Sequence, residues 1–356
     1  MDYYIYVTKK CNLKCEYCCE KQEWSKIIDT TDAIEPRYKI QDLINFIINN
    51  EKKIEKDEIN IILYGGEPLL NQKWIKQFLQ KTKQYDFNYI LFTNGVTLSI
   101  IDKYVLKRIS TLFISIDGGK EITDKYRGQG IHKKTLDNLS KIKNEYNGKT
   151  IATMTITPYN NLYKSVLSII DHFDFIFWKL LSSDKIENKK WFTNNYDKSL
   201  DLLLNYWIKK LKQGQIKRII PFLAITTTLL DNAKKENYRC DCGDFLVTVD
   251  TDGSCYSCDE LTDKKYKIGS ISGSITQKKL PHPERCKECE YRYVCGGRCP
   301  KEDIIFPKEI AEYHCYLTKL LIKKIIKKIP EIKEIIDKGI IKREDLNFPR
   351  TTSEIP

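Results

Sequence analysis

Six short β-type runs, separated by stretches with helical patterning, constrain this chain more than any other feature. They are YYIYVT (Tyr3–Thr8), NIILYGG (Asn60–Gly66), NYILFTNG (Asn88–Gly95), TLFISIDGG (Thr111–Gly119), TIATMTITP (Thr150–Pro158) and FDFIFWKLL (Phe173–Leu181). Helix signals fill the gaps, as in KIQDLINFIINNEKKIEK after Tyr38 and NQKWIKQFLQKTKQY after Leu70. Strand–helix alternation means βαβ units and therefore a parallel sheet. Six such strands form an open sheet or partial barrel, whose sites gather at the C-terminal strand ends. The notable residues fall there: a cysteine loop follows the first run, GGEP ends the second, TNG the third and SIDGG the fourth.

A chain of 356 residues, 41% hydrophobic and 30% charged, can bury one large α/β domain and a smaller one. It has no apolar run long enough for a membrane span, and MDYYIYVTKK lacks the features of a signal peptide. A cytoplasmic protein without a membrane partner is expected. Thirteen cysteines against four histidines then favour all-sulfur metal sites over disulfides or His-containing zinc sites. The net charge of +12 suits a nucleic acid or acidic protein partner, but a solvated lysine-rich surface explains it more simply. No Gly/Arg-rich tract or aromatic-basic ribonucleoprotein motif supports nucleic-acid binding.

In CNLKCEYCC, Cys11, Cys15 and Cys18 fit C-x3-C-x2-C directly after the first strand. Three thiolates hold three corners of a cubane cluster and leave the fourth iron open to a small molecule. The competing reading is a zinc knuckle completed by a distant ligand. Cys19 is surplus, since an adjacent Cys18–Cys19 pair cannot easily serve one cubane, and it reads as a small apolar filler.

With Tyr17 before the last cysteine, this loop resembles that of the radical SAM superfamily. The resemblance implies a partial (β/α)6 barrel and a [4Fe–4S] cluster chelated by S-adenosylmethionine, which yields a 5′-deoxyadenosyl radical. Tyr64-Gly65-Gly66-Glu67-Pro68 resembles the family's GGEP, whose backbone and acid meet the methionyl ammonium. Thr93, Asn94 and Gly95 resemble the segment near the ribose and methionine. Ser115 and Asp117 end the fourth strand in the same region. Arg127, ten residues beyond Asp117, stands where relatives pair an arginine with the SAM carboxylate; otherwise it is a surface charge. Leu180 and Leu181 face the adenine or pack in the core.

A second cysteine field spans Cys240–Cys315. Cys242, Gly253 and Cys258 are followed by Cys286, Cys289, Cys295 and Cys299 in C-x2-C-x5-C-x3-C, and then by Cys315. This order resembles the SPASM extension of radical SAM enzymes, which binds two auxiliary [4Fe–4S] clusters. The resemblance implies Cys240, Cys242, Cys258 and Cys299 at one cluster and Cys286, Cys289, Cys295 and Cys315 at the other. Cys240 either completes eight ligands or is absent from the set, leaving an open iron. Cys255 is not needed. A zinc-ribbon nucleic-acid-binding protein is the alternative of a different class.

The expected organisation is a partial barrel over 1–185, linker and bridging helices over 186–238, a metal-stapled domain with little conventional core over 239–318, and a helix and tail over 319–356. SSDKIENKKWFTNNYDK reads as a polar linker or cap before a helix at Ser199–Gln213, Lys319–Lys338 as an amphipathic helix interrupted at Pro330, and the tail after Gly339 as a loose or surface-draped terminus. SPASM enzymes act mostly on peptides or proteins. The resemblance implies oxidative side-chain modification of the cross-link or thioether type, or formylglycine formation as in anaerobic sulfatase maturases. The start of the chain almost at its first strand, without room for a leader-binding domain, mildly favours the maturase-like architecture or a stand-alone peptide modifier that recruits its substrate otherwise. Asp259, after Cys258, resembles the maturases' base; the bland alternative is an acid that only binds backbone. A ferredoxin or flavodoxin is the expected low-potential electron donor.

Overall fold

The computed structural model describes residues 1–18, 33–51, 58–349 and 353–356; Cys19 lies outside them. The strands are β1 (Asp2–Thr8), β2 (Ile59–Gly65), β3 (Phe87–Thr93), β4 (Thr111–Ser115), β5 (Lys149–Ile156), β6 (Phe175–Leu180), β7 (Leu246–Val249), β8 (Ser254–Tyr256) and β9 (Lys267–Ser270). The six expected strands are all present, within two residues of the expected start in each case. The chain divides into two compact units.

The first unit comprises 1–116, 123–150 and 242–280. Its strands lie in the order β4-β3-β2-β1-β7-β8-β9. β1 is central, parallel to β2 through Ile5 opposite Leu63 and to β7 through Ile5 opposite Val249. All seven β1 residues are buried, as befits a parallel strand covered on both faces. β3 and β4 continue the parallel order, whereas β8 runs antiparallel to both β7 and β9. The aromatic ring of Tyr4 meets Tyr64 at 5.6 Å, Tyr64 meets Phe92 at 5.4 Å, and Phe92 stacks on Phe113 at 4.4 Å. Each such pair contributes roughly 0.5–1.5 kcal/mol beyond its buried area. Helices α1 (Ile40–Glu51), α2 (Gln72–Lys81), α3 (Lys103–Arg108), α4 (Lys120–Arg127) and α5 (Ile131–Ile142) follow the strands, α4 entering this unit at Thr123.

The second unit comprises 117–122, 151–241 and 281–356. β5 pairs in parallel with β6, Met154 opposite Trp178. Its helices are α6 (Leu162–Leu167), α7 (Lys189–Lys212), α8 (Ile220–Leu230), α9 (Arg292–Cys295), α10 (Pro300–Ile305), α11 (Lys308–Ile326) and α12 (Ile329–Asp337). Trp178 and Trp207 both pack against Phe222, at 5.8 and 5.4 Å. Among the described residues, no helix is long and apolar enough to cross a membrane.

Three expectations need revision. The polar stretch before Ser199 is already helical: α7 begins at Lys189, and Phe192, Tyr196, Ser199 and Leu203 form one buried stripe. The exposed Trp191 and the intervening Lys, Asn and Asp mask that stripe in the sequence. The cysteine-rich segment does not rely on metal alone for a core, because β7 joins β1 and buries Leu246, Val247 and Val249. The chain's end is docked rather than loose. Ile341, Leu346 and Ile355 are buried, Glu354 pairs with buried Arg239, and Thr318 Oγ1 donates to Pro356 O at 2.7 Å. The break at Pro330 is as expected, with the proline in the first turn of α12, where a missing N–H goes unmissed.

Candidate active site

The cysteine loop leaves β1 with Cys11 exposed and Cys15 and Cys18 half-buried, and none of the described cysteines is disulfide-bonded. The loop's backbone is held locally by Cys18 N donating to Cys15 O at 3.2 Å and Leu13 N donating to Cys11 Sγ at 3.4 Å. GGEP meets the loop's entry. Gly66 N donates to Thr8 O at 2.9 Å and Glu67 N to Lys10 O at 2.8 Å. A Cβ on Gly65, whose φ is +132°, would lie 2.1 Å from Thr8 O, and one on Gly66 would lie 2.4 Å from Lys10 O. The two glycines therefore permit the end of β2 to touch the backbone that launches the cysteine loop.

Glu67 is fully buried and joins this turn to the end of β3. Its Oε1 accepts from Thr93 Oγ1 at 2.8 Å and Leu69 N at 3.2 Å, and its Oε2 accepts from Asn94 N at 2.7 Å. Burial pushes its carboxyl up to about 7, against the downward pull of the donors from Asn94, Thr93 and Leu69. Pro68 opens the short helical turn that Glu67 caps. Asn94 closes the circle: its Nδ2 donates to Asn12 Oδ1 at 2.7 Å and lies 4.0 Å from Cys11 Sγ. Thr135 Oγ1 and Asn138 Nδ2 on α5 then hold the carbonyls of Asn94, Gly95 and Val96.

The far side of the loop is fixed by α4. Glu16 N donates to Tyr126 O at 2.8 Å, the Tyr17 and Tyr126 rings lie 5.5 Å apart, and the Arg127 guanidinium sits 5.5 Å over the Tyr17 ring. Arg127 is buried, not a surface charge. Ser115 is half-buried at the end of β4. Within the first unit, the structure thus brings Tyr17, Gly65, Gly66, Glu67, Thr93, Asn94 and Arg127 around the Cys11–Cys18 loop. Asp117 and Leu180 belong to the second unit. There the buried Asp117 accepts from Thr155 N at 2.9 Å, and Leu180 is buried opposite Ile156.

Asp259 is half-buried, and its backbone carbonyl accepts from Tyr6 OH of β1 at 2.8 Å. Its Oδ1 lies 3.8 Å from Cys258 Sγ. Sequence reading missed Tyr6, Asn12, Thr135 and Asn138, which place the recognised residues; only alternation along β1 and the polar positions of α5 hinted at them.

Of the cysteines grouped by resemblance, Cys242 and Cys258 lie in the first unit and Cys240 and Cys299 in the second. Cys286, Cys289, Cys295 and Cys315 all lie in the second unit. Burial pushes the Cys286 thiol up to about 11, and neighbouring Cys295 and Cys315 push it the same way. Burial pulls the Lys319 ammonium down, but Cys315, Cys289 and Cys286 raise it on balance. Among the described residues, no three His, Cys, Asp or Glu side chains converge closely enough to hold a single metal ion. Thiolates around a cubane need not converge on one centre, because each binds a different iron. Cys255 is fully buried on β8, and burial pushes its thiol up, as for an inert apolar filler.

Residues 5–167 match the model of the Radical SAM superfamily. The chain is 26% identical over 330 residues to the cysteine-type anaerobic sulfatase-maturating enzyme of Clostridium novyi (strain NT), covering 82% of this chain and 85% of that protein. It is 23% identical over 379 residues to the radical SAM cyclopropyl synthase of Paramaledivibacter caminithermalis, covering 91% of this chain and 73% of that one. The solved structure of native anSMEcpe with bound AdoMet and Cp18Cys peptide superposes with a TM-score of 0.73 at 20% identity, over 95% of this chain and 99% of that chain. The expected α/β fold, with parallel strands and a cysteine-rich C-terminal part, is the fold observed.

Proposed function

We propose that this chain, whose residues 5–167 match the Radical SAM superfamily, is a radical SAM enzyme that oxidatively modifies a side chain of a peptide or protein, in cross-link or thioether-type maturation. The superfamily brings S-adenosylmethionine and a [4Fe–4S] cluster. Cys11, Cys15 and Cys18 would hold that cluster. Tyr17, Gly65, Gly66, Glu67, Pro68, Thr93, Asn94, Ser115, Asp117, Arg127 and Leu180 would surround the SAM. When bound, the pair supplies a 5′-deoxyadenosyl radical that takes a hydrogen atom from substrate.

The observation that carries this reading is the closed set of contacts linking the three-cysteine loop, GGEP and the Thr93–Asn94 turn. The donor set fits the group. Three thiolates leave one iron for SAM, and Glu67 uses three of its roughly four acceptor positions within the chain, leaving room for an ammonium. Arg127, buried beside the loop, supplies a bidentate partner for a carboxylate. Asp259 would accept the proton released from the oxidised substrate at its carboxylate, and Tyr6 fixes its backbone for that task. Cys240, Cys242, Cys258 and Cys299 would hold one auxiliary cluster, and Cys286, Cys289, Cys295 and Cys315 the other. A reducing, cytoplasmic setting suits these thiolates. An acidic ferredoxin or flavodoxin suits the net charge of +12 as electron donor.

A second reading, formylglycine formation, is favoured by the likeness to the Clostridium novyi maturase along 85% of its length. One experiment covers both. Anaerobically reconstituted, reduced protein is given SAM with peptides encoded beside its gene or with cysteine- and serine-containing sulfatase peptides. Formation of 5′-deoxyadenosine with loss of hydrogen from a peptide supports oxidative modification, and an aldehyde-reactive probe distinguishes formylglycine from a cross-link. No 5′-deoxyadenosine with any of these peptides would overturn the proposal.

A further inference from the structure

We propose that Tyr159 and Trp191 form an aromatic platform that receives an apolar or aromatic side chain of the peptide substrate, next to the residue that is modified. This deepens the peptide-modifying reading and rests on it. Both residues follow the C-terminal ends of parallel strands, where α/β folds place their ligands. Tyr159 lies just beyond β5, and Trp191 lies in the first turn of α7, which follows β6. Their ring centroids are 5.9 Å apart at an interplanar angle of 44°. The rings therefore touch each other and offer one continuous surface. Tyr159 is 51% exposed and Trp191 48%, so the pair adds little to the core. Two adjoining exposed rings are a contact surface of the kind that binding sites use.

The pair is rigidly mounted. Asn160 Oδ1 accepts from Thr157 N at 3.0 Å and from Thr157 Oγ1 at 2.6 Å, which fixes the turn that carries Tyr159. Asn195, one turn of α7 beyond Trp191, donates from its Nδ2 to Asn160 O at 2.6 Å and fastens that turn to the helix. The same asparagine reaches the candidate active site: Asn160 Nδ2 donates to Asp117 O at 3.4 Å. Asp117, itself anchored by Thr155 N of β5 at 2.9 Å, is among the residues proposed to surround the SAM. One asparagine thus joins the platform to that site. This connection selects the substrate as occupant, because the residue to be modified must come to the same strand ends and brings its neighbours with it. A preorganised aromatic surface loses little entropy on binding and suits a hot-spot contact.

The test measures binding, not turnover. Fluorescein-labelled synthetic peptides of alanine, glycine and serine around one cysteine are titrated with the full, cluster-loaded chain and SAM, and anisotropy is read. In a second series phenylalanine replaces one alanine at a time. Wild type should bind the best phenylalanine peptide roughly tenfold more tightly than the parent, the gain of one hot-spot contact. Tyr159→Ala/Trp191→Ala should lose that gain, and Tyr159→Phe/Trp191→Phe should keep most of it. Leu202→Ala, which removes an exposed apolar side chain elsewhere on α7, should leave it intact. Equal or absent binding of the phenylalanine and parent peptides by wild type would overturn the assignment without recourse to any variant. So would a gain that survives in Tyr159→Ala/Trp191→Ala. Dissociation of a dimer by that variant in sedimentation would also overturn it, since the surface would then join two copies of the chain. A gain that behaves as expected, with no peptide modified, would strike the modifying reading and leave the peptide-binding surface, so the two fail separately.

Discussion

Glu67 shows what a motif conceals. GGEP stands out in the sequence as a glycine turn carrying an acid, and in the structure that acid is the fastener between β2 and β3. Its carboxyl is raised from the ordinary range to about 7 by burial. A carboxyl raised on folding contributes stability that is fully present below its unfolded pKa of roughly 4.3 and is lost as pH rises through the folded value. Wild-type SAM-free protein should therefore lose on the order of 3 kcal/mol through this group between about pH 4.5 and 7. Glu67→Gln should flatten that slope, while losing about 1–3 kcal/mol at low pH from a mismatched donor. Denaturant melts at several pH values check both. The same slope in Glu67→Gln would remove Glu67 as the source. Gly66→Ala places a methyl against the Lys10 carbonyl, costs roughly 1–3 kcal/mol by overpacking, and should reduce the iron held by the loop. Iron analysis beside Cys11→Ala measures that effect.

Elements were legible where burial follows a simple period. The apolar runs of β1–β6 stand out because a parallel strand covered on both faces must be apolar throughout. α7 was only half visible, since its first turns bury Phe192 and Tyr196 behind lysines and asparagines. The docked end was not legible, because it depends on one long-range partner. Arg239, beside Cys240, is bonded to Val294 O and Thr228 Oγ1 as well as to Glu354, and no local pattern announces that pairing. Glu354→Ala strands a buried guanidinium and should cost about 3–5 kcal/mol. Thermal melts should show a clear fall in Tm. An unchanged Tm would mean that the C-terminal residues add nothing to the second unit.

For the molecule as a whole, the cysteine spacing carried more information about chemistry than about architecture. The first loop and the second field stand out in the sequence as candidate sites because clusters impose the number and spacing of their thiolates. The division into compact units was not readable, since 242–280 adds strands to the first sheet while 281–356 folds with the second unit's helices. Tyr6 of β1 reaching the Asp259 carbonyl shows one consequence: the 242–280 part of the cysteine-rich segment and the first strand belong to one compact unit.

The central claim is that Cys11, Cys15 and Cys18 form a radical-generating site on this fold. Its most direct test is the 5′-deoxyadenosine made from SAM by reduced, cluster-loaded protein. Wild type and Cys19→Ala should both produce it, and Cys18→Ala should produce none while keeping the iron of the C-terminal cysteines. Undiminished 5′-deoxyadenosine from Cys18→Ala, or none from fully loaded wild type, would contradict the account.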